Sequence, residues 1–279
     1  MESRGGRIAI RVYSWLVIAF IYVPLLIVAL YAFSGSVGQK WPIENYTGRW
    51  FGVTWRNGIV REALATSVEI ALLATALALL LGSLAAFAVH RFSFFGRNVV
   101  SLVLVLPIAL PGIVTAMALN SVFVTANIPL SLFTIFVGHS VFCIVVIFNN
   151  VIARLRRTPT SLIEASMDLG ADGWQTFRHV TLPAIRTALV AGALLAFALS
   201  FDEIVVTNFL AGSEITLPKF IFNNLRQPRS RPIVNVVAIV VVLLSIIPVY
   251  LAQRLSGGPD ALAAGAKQQS GAAGSRYRY

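Results

Sequence analysis

Six apolar runs govern what this chain can fold into, at positions 13–33, 65–89, 99–125, 130–153, 187–211 and 233–251. Each has roughly the 20 residues a helix needs to cross ~30 Å of hydrocarbon. A soluble domain could not bury so many apolar side chains and still present a polar surface. The composition agrees, with 57% of the 279 residues hydrophobic and 12% charged, against ~25% charged in an ordinary soluble domain. Runs this long and uniform do not match the ~10-residue alternating strands of a membrane barrel. Lipid offers backbone N–H and C=O groups no water, so helices that satisfy their own hydrogen bonds are the alternative. The expected fold is all-α, a polytopic membrane protein with six transmembrane helices.

The first run follows Arg4, Arg7 and Arg11, as a secretory signal does. Its apolar stretch exceeds the 7–15 residues of a signal core, so it is expected to stay as an anchor. The third run contains Pro107, Pro111 and Gly112. Each proline removes a backbone donor, which makes this span either a static kink or a hinge for alternating access.

The net charge of +11 would suggest nucleic acid in a soluble protein. Here Lys and Arg collect beside the apolar runs. On one side are three before the first run, two around 90–98, five in 154–186 and four in the tail. The other side has four in 34–64 and four in 212–232. The richer side is expected to be cytoplasmic, with both termini inside. The outer loop 34–64 holds Trp41, Tyr46, Trp50, Phe51 and Trp55, amphipathic rings suited to the headgroup boundary. This divides the chain into a cytoplasmic N-terminus (1–12), a membrane domain (13–254) and an Ala-, Gly-, Ser- and Gln-rich tail (255–279) that reads as disordered. The single cysteine, Cys143, lies in an apolar run and reads as packing. His90, His139 and His179 are scattered, so no metal-ligand spacing is present.

The loop 154–186 carries more pattern than a connector needs. Ser161-Leu162-Ile163-Glu164 has the capping-box spacing and predicts a helix running to Gly170, a natural stop. Asp172-Gly173 then opens a second short helix, 174–180, closed by Leu182-Pro183. On the first helix Ile163, Met167 and Gly170 share one face, and Glu164 and Asp168 the adjacent one. Trp174 and Phe177 add an aromatic edge. By these residues alone, the loop is either an amphipathic connector at the membrane surface or a docking element.

Glu164-Ala165-Ser166, then Gly170, then Val180-Thr181-Leu182-Pro183 after nine residues resembles the EAA loop of binding-protein-dependent ABC importer permeases. The family pattern is Glu-Ala-Ala, three residues, Gly, nine residues, Ile-any-Leu-Pro. Ser166 and Val180 depart from it, and both keep the side chain small or β-branched. The loop precedes the last two spans, as in the family, and the resemblance covers 11–254. Three weaker stretches are similar to polyamine (putrescine/spermidine) permeases: 168–171, 199–209, and Pro107 with Pro111-Gly112-Ile113-Val114-Thr115.

The resemblance implies a type I ABC importer permease-like fold, multi-pass in a bacterial inner membrane. It implies a second permease subunit, usually a paralogue, two cytosolic ATP-binding subunits and an extracytoplasmic solute-binding protein. Glu164, Ala165, Asp168, Gly170, Trp174, Leu182 and Pro183 would form the surface that docks on the ATPase. Glu164, Ala165 and Gly170 would allow close approach there, and Asp168 and Trp174 would fix the fit. The chain has no Gly-x-x-x-x-Gly-Lys-[Ser/Thr], so ATP and Mg²⁺ would act on the partner and this chain would bind no cofactor. Pro218, Asn223, Asn224 and Arg226 are candidates for touching the binding protein.

Asp202 and Glu203 fall inside the fifth run. An acidic side chain near a helix centre costs about 2.5–3.5 kcal/mol on insertion scales, so it needs a partner, a proton or water. Adjacent residues point ~100° apart, so one would line a pathway, with Asn208, while the other braces a neighbouring helix. The bland alternative is a structural pair satisfied by Asn149, Asn150 or His139. A cationic solute would find a favourable field at either acid. The competing function is a self-sufficient carrier or channel that uses the two acids as a proton relay. An intramembrane enzyme would require an apposed nucleophile and base or a metal cluster, and the sequence offers neither.

Overall fold

A computed structural model describes residues 4–255. The tail expected at 255–279 lies outside the described residues except for Leu255. In chain order the helices are α1 (Arg4–Ala32), α2 (Arg49–Arg56), α3 (Gly58–Arg91), α4 (Arg97–Ala109), α5 (Gly112–Thr125), α6 (Leu132–Leu155), α7 (Thr160–Asp168), α8 (Gly173–Thr176), α9 (Leu182–Phe201), α10 (Val205–Leu210), α11 (Leu217–Asn224) and α12 (Arg231–Leu255). Four helical stretches are individually long and apolar enough to cross a membrane: α1, α3, α6 and the continuous 173–201. The expected third span is a bent pair: α4 and α5 meet at 105°. The sixth expected span lies inside α12, whose described apolar part is Arg231–Ile246.

The bend has a local cause. Leu110 and Pro111 are extended (ψ 146° and 128°), and proline disfavours helical geometry in the residue before it. Pro107, by contrast, sits within α4. So Pro111 breaks the span and Gly112 begins the new helix, while Pro107 is absorbed.

The chain forms two compact units. One comprises residues up to 64 and 217–244. In it Ala32, Trp50 and Val236 are buried together, with Phe51 and Ile239 against them. Trp50 donates from Nε1 to the Ser34 carbonyl at 2.8 Å, and the Arg49 guanidinium lies 4.4 Å above the Trp50 ring. Trp50 is therefore a core anchor of the unit. Trp41 and Trp55 remain exposed, as an interfacial role requires. Most of α1 is exposed and apolar all round, the pattern of a helix whose surroundings are themselves apolar.

The other unit spans 65–216, together with the described residues from 245 to 255. Its centre is α6, which buries Cys143, Ile147, Phe148 and Val151 against Ala74, Ala78 and Ala86 of α3 and Ile185 and Ala196 of α9. Small residues permit this proximity, as membrane helix packing demands. A methyl at Gly82 would come within 2.8 Å of the Ile144 carbonyl oxygen and 2.9 Å of Ile147 Cβ. A second cluster joins Ala116 and Phe123 of α5 and Phe142 of α6 to Val206 and Leu210 of α10.

Candidate coupling surface and substrate pathway

The 154–186 loop folds differently in detail from its sequence pattern. Pro159 sets an extended φ, ψ of −61°, 133° and α7 starts at Thr160 with no side-chain cap. The expected Ser161–Glu164 capping box is absent. Ser161 sits one residue inside the helix, and an N-cap must be non-helical. The box forms instead at the next helix. There the Asp172 carboxylate accepts from Gln175 N at 2.8 Å, and Gln175 Oε1 accepts from Asp172 N at 3.0 Å.

Between the two helices Gly170 adopts φ +86°. Gly170 N donates to Met167 O and Ala171 N to Ser166 O, at 2.9 and 3.1 Å. This is the paired Schellman closure of a helix, with glycine in the left-handed position. A Cβ on Gly170 would meet nothing within 4 Å, so within this chain the glycine is required by its backbone angle rather than by crowding. Ser166 Oγ and Thr176 Oγ1 share a 3.1 Å hydrogen bond that ties α7 to α8.

The second helix does not stop at Leu182-Pro183. α8 passes into a π-helical turn (Phe177–Thr181) and then directly into α9, with Leu182 N bonded to Phe177 O. Proline has no N–H, so it fits the first turn of a helix better than an interior. The widened turn restarts the hydrogen-bond ladder just ahead of Pro183. The loop is thus rigidly continuous with a membrane helix. Phe177 anchors the junction: its ring stacks on Trp174 at 5.6 Å and meets Phe87 of α3 edge-on at 5.5 Å. Arg154 Nε donates to Ala184 O at 2.8 Å, linking the end of α6 to the start of α9.

All seven residues assigned to the docking surface are exposed: Glu164, Ala165, Asp168, Gly170, Trp174, Leu182 and Pro183. Two apolar residues stand out among their neighbours, Leu169 at 89% and Trp174 at 67% exposure. Ile163 and Met167 turn the other way, lining a cavity of about 210 Å³ with Phe87, Leu155 and Phe177. Of the face expected to be apolar, Ile163 is partly buried, whereas Met167 and Gly170 are exposed.

At the opposite end of α9 the fifth span is interrupted. The helix ends at Phe201, and residues 202–204 separate it from α10. The two acids are therefore not mid-helix residues; they occupy a break. Glu203 accepts from Val206 N at 3.0 Å through Oε1, satisfying an orphan donor at the start of α10. Asp202 and Asn208 are exposed.

The proposed structural partners lie elsewhere. Asn150 Nδ2 donates to Val146 O of its own helix, and Asn149 is exposed. His139 is buried and reaches Ser200 Oγ at 2.9 Å and Thr207 Oγ1 at 3.0 Å. Thr207 Oγ1 also donates to Glu203 O at 2.7 Å. Two further bonds hold α10: Asn120 Nδ2 to Phe209 O at 2.6 Å, and Thr134 Oγ1 to Leu210 O at 2.7 Å. Sequence reasoning missed this polar bracket. Thr134 and His139, polar residues within an apolar run, were its visible signal, and the partner carbonyls were not visible.

Residues 78–257 match the family model described as binding-protein-dependent transport system inner membrane component. That is more than half of the chain. The chain belongs to this family of transport permeases. The permease is 31% identical over 246 residues to the spermidine/putrescine transport system permease protein PotC of Haemophilus influenzae, covering 88% of this chain and 95% of that one. It is 30% identical to PotC of Escherichia coli K12, covering 90% and 95%. With the putrescine transport system permease protein PotI of that strain it shares 33% identity over 75% and 76%. The fold resembles that of a bacterial ABC transporter importing the acidic polysaccharide alginate, with TM-score 0.65, 17% identity and 91% and 98% coverage. It also resembles the MetNI methionine ABC transporter, with TM-score 0.58, 21% identity and 74% and 96% coverage. The permease is accordingly a multi-pass inner-membrane component of a multi-subunit ABC transport system, with a type I importer fold.

Proposed function

We propose that this permease carries a small polycationic solute of the spermidine/putrescine class inward, driven by ATP hydrolysis on separate subunits that grip the 154–186 loop. The substrate class rests on relatives named for polyamines that match three quarters or more of the chain. The exposed Asp202 carboxylate is the feature of the chain itself that suits a cation. Glu203 is occupied by Val206 N, so of the two acids Asp202 faces the solute path and Glu203 braces α10. Asn208, also exposed, joins that path, and the bend at Pro111-Gly112 is the hinge. On this reading both termini are cytoplasmic, a second permease completes the pathway, and a binding protein delivers solute from outside. ATP and Mg²⁺ act on the motor subunits, and this chain binds no cofactor.

The observation that carries the mechanical part is continuity. The exposed α7–α8 surface runs through the π-helical turn into α9, which ends at Phe201, next to Asp202. Motor closure that displaces the loop therefore displaces α9. The family match favours this reading over a proton-coupled carrier, since the family is one of binding-protein-dependent systems. To test it, the tagged permease is isolated from membranes that also contain the other proteins of its transport system. The parent is expected to retain an ATPase, and Glu164→Arg to lose it at an unchanged membrane level. ATP-independent uptake of spermidine by the permease alone in liposomes would refute the proposal.

A further inference from the structure

His139 is the buried side chain that touches both sides of the break in the fifth span. Its Nδ1 bonds Ser200, two residues before Asp202, and its Nε2 bonds Thr207, five residues after. The protons can be placed. Thr207 has one hydroxyl hydrogen, and the Glu203 carbonyl takes it. Thr207 Oγ1 must then accept from His139, so the ring hydrogen sits on Nε2 and Nδ1 accepts from the Ser200 hydroxyl. Each partner is used once and in the right sense.

The surroundings make this bridge a fixed strut. α6 is the most buried helix of its unit, and the ring at 139 projects from it into the gap between α9 and α10. Gly138, next in sequence, brings α10 down onto α6: a methyl there would meet Leu210 Cδ1 at 2.5 Å and Val206 Cγ1 at 2.8 Å. Asn120 and Thr134 hold the far end of α10 by its carbonyls. Asp202 N still closes a helical bond to Ala198 O at 3.2 Å, but Glu203 N reaches only Ser200 O at 3.4 Å, so beyond its one helical bond the placement of Asp202 depends on what clamps its flanks.

We propose that His139 is a positioning residue for the solute path, setting the location of Asp202 by bridging Ser200 and Thr207. The role of Asp202 in that path rests on the proposed function; the clamp itself rests on geometry.

The test reads position directly. Asp202→Cys permease is produced with the rest of its transport system, in a Cys143→Ala background, and treated in membranes with a positively charged methanethiosulfonate reagent. Adding His139→Ala is expected to change the labelling rate at 202 about tenfold or more, because two hydrogen bonds are lost. Thr207→Val removes the bond to His139 and also the one to the Glu203 carbonyl, and is expected to shift it about tenfold in the same direction. Thr207→Ser keeps the hydroxyl and is expected to keep the parental rate. Parental labelling in both His139→Ala and Thr207→Val, at equal membrane levels, would overturn the inference. Equal shifts in Thr207→Val and Thr207→Ser would also overturn it, since packing rather than the bridge would then be responsible. If His139→Ala does not reach the membrane, Ser200→Ala decides, because it removes only the bond to His139 Nδ1; a parental rate there would overturn the inference. Spermidine uptake by Asp202→Asn is measured separately. An unchanged rate there would defeat the pathway role of Asp202 and leave the labelling result standing on its own.

Discussion

Replacing Gly170 separates two reasons for a glycine in a docking loop. The residue sits at φ +86°, where an L side chain costs about 1–2 kcal/mol. Within this chain nothing lies within 4 Å of a Cβ built there, so alanine and leucine should bear nearly the same cost. If the turn carries the coupling surface, that cost lowers the ratio of correctly shaped to misshapen loops by roughly 5–30-fold. Asparagine tolerates left-handed geometry several-fold better than most residues, so Gly170→Asn should lose less. Initial rates of labelled spermidine uptake, normalised to the permease in the membrane, read this order. The reasoning expects Gly170→Ala and Gly170→Leu to fall together, Gly170→Asn to stay above both, and membrane levels to hold. Normal transport by Gly170→Ala beside impaired transport by Gly170→Leu would refute the role of the turn. That pattern would mean the glycine makes room for the motor subunit instead of shaping the Schellman closure.

Two other outcomes follow from distances. Gly82→Ala drives a methyl against a backbone carbonyl and a Cβ on α6, neither of which can rotate away, so overpacking should cost about 1–3 kcal/mol and lower the detergent melting temperature of the purified permease. Asp202→Asn removes the exposed charge at the break and should slow spermidine uptake about tenfold, whereas Glu203→Gln keeps an acceptor for Val206 N and should slow it less; uptake assays that reverse this order would exchange the roles of the two acids.

The spans were legible because length and apolarity are properties of a segment alone. Where helices break was harder to read. Pro111 stops one, with Leu110 extended ahead of it, and Pro107 lies inside a helix. The capping box illustrates the same limit. Ser161–Glu164 has the better-known pattern, but Pro159 starts the helix two residues too early for Ser161 to cap it. Asp172–Gln175 makes the box in fact. The acids at 202 and 203 were visible as an anomaly inside an apolar run. That they mark a gap between helices depends on Asn120, Thr134 and His139, distant in sequence and close in space. The surface face of the docking loop was readable, since its periodicity is local.

The unbroken course of α9 has a geometric corollary. Its 20 residues span about 30 Å, and each residue adds ~100° of rotation. The helix therefore fixes the azimuth of Asp202 relative to Leu182 as a keyed shaft fixes two gears. Sequence drift along this stretch is tolerable wherever volume is kept. A single-residue insertion or deletion is not, because it would turn one end a quarter-revolution out of phase with the other.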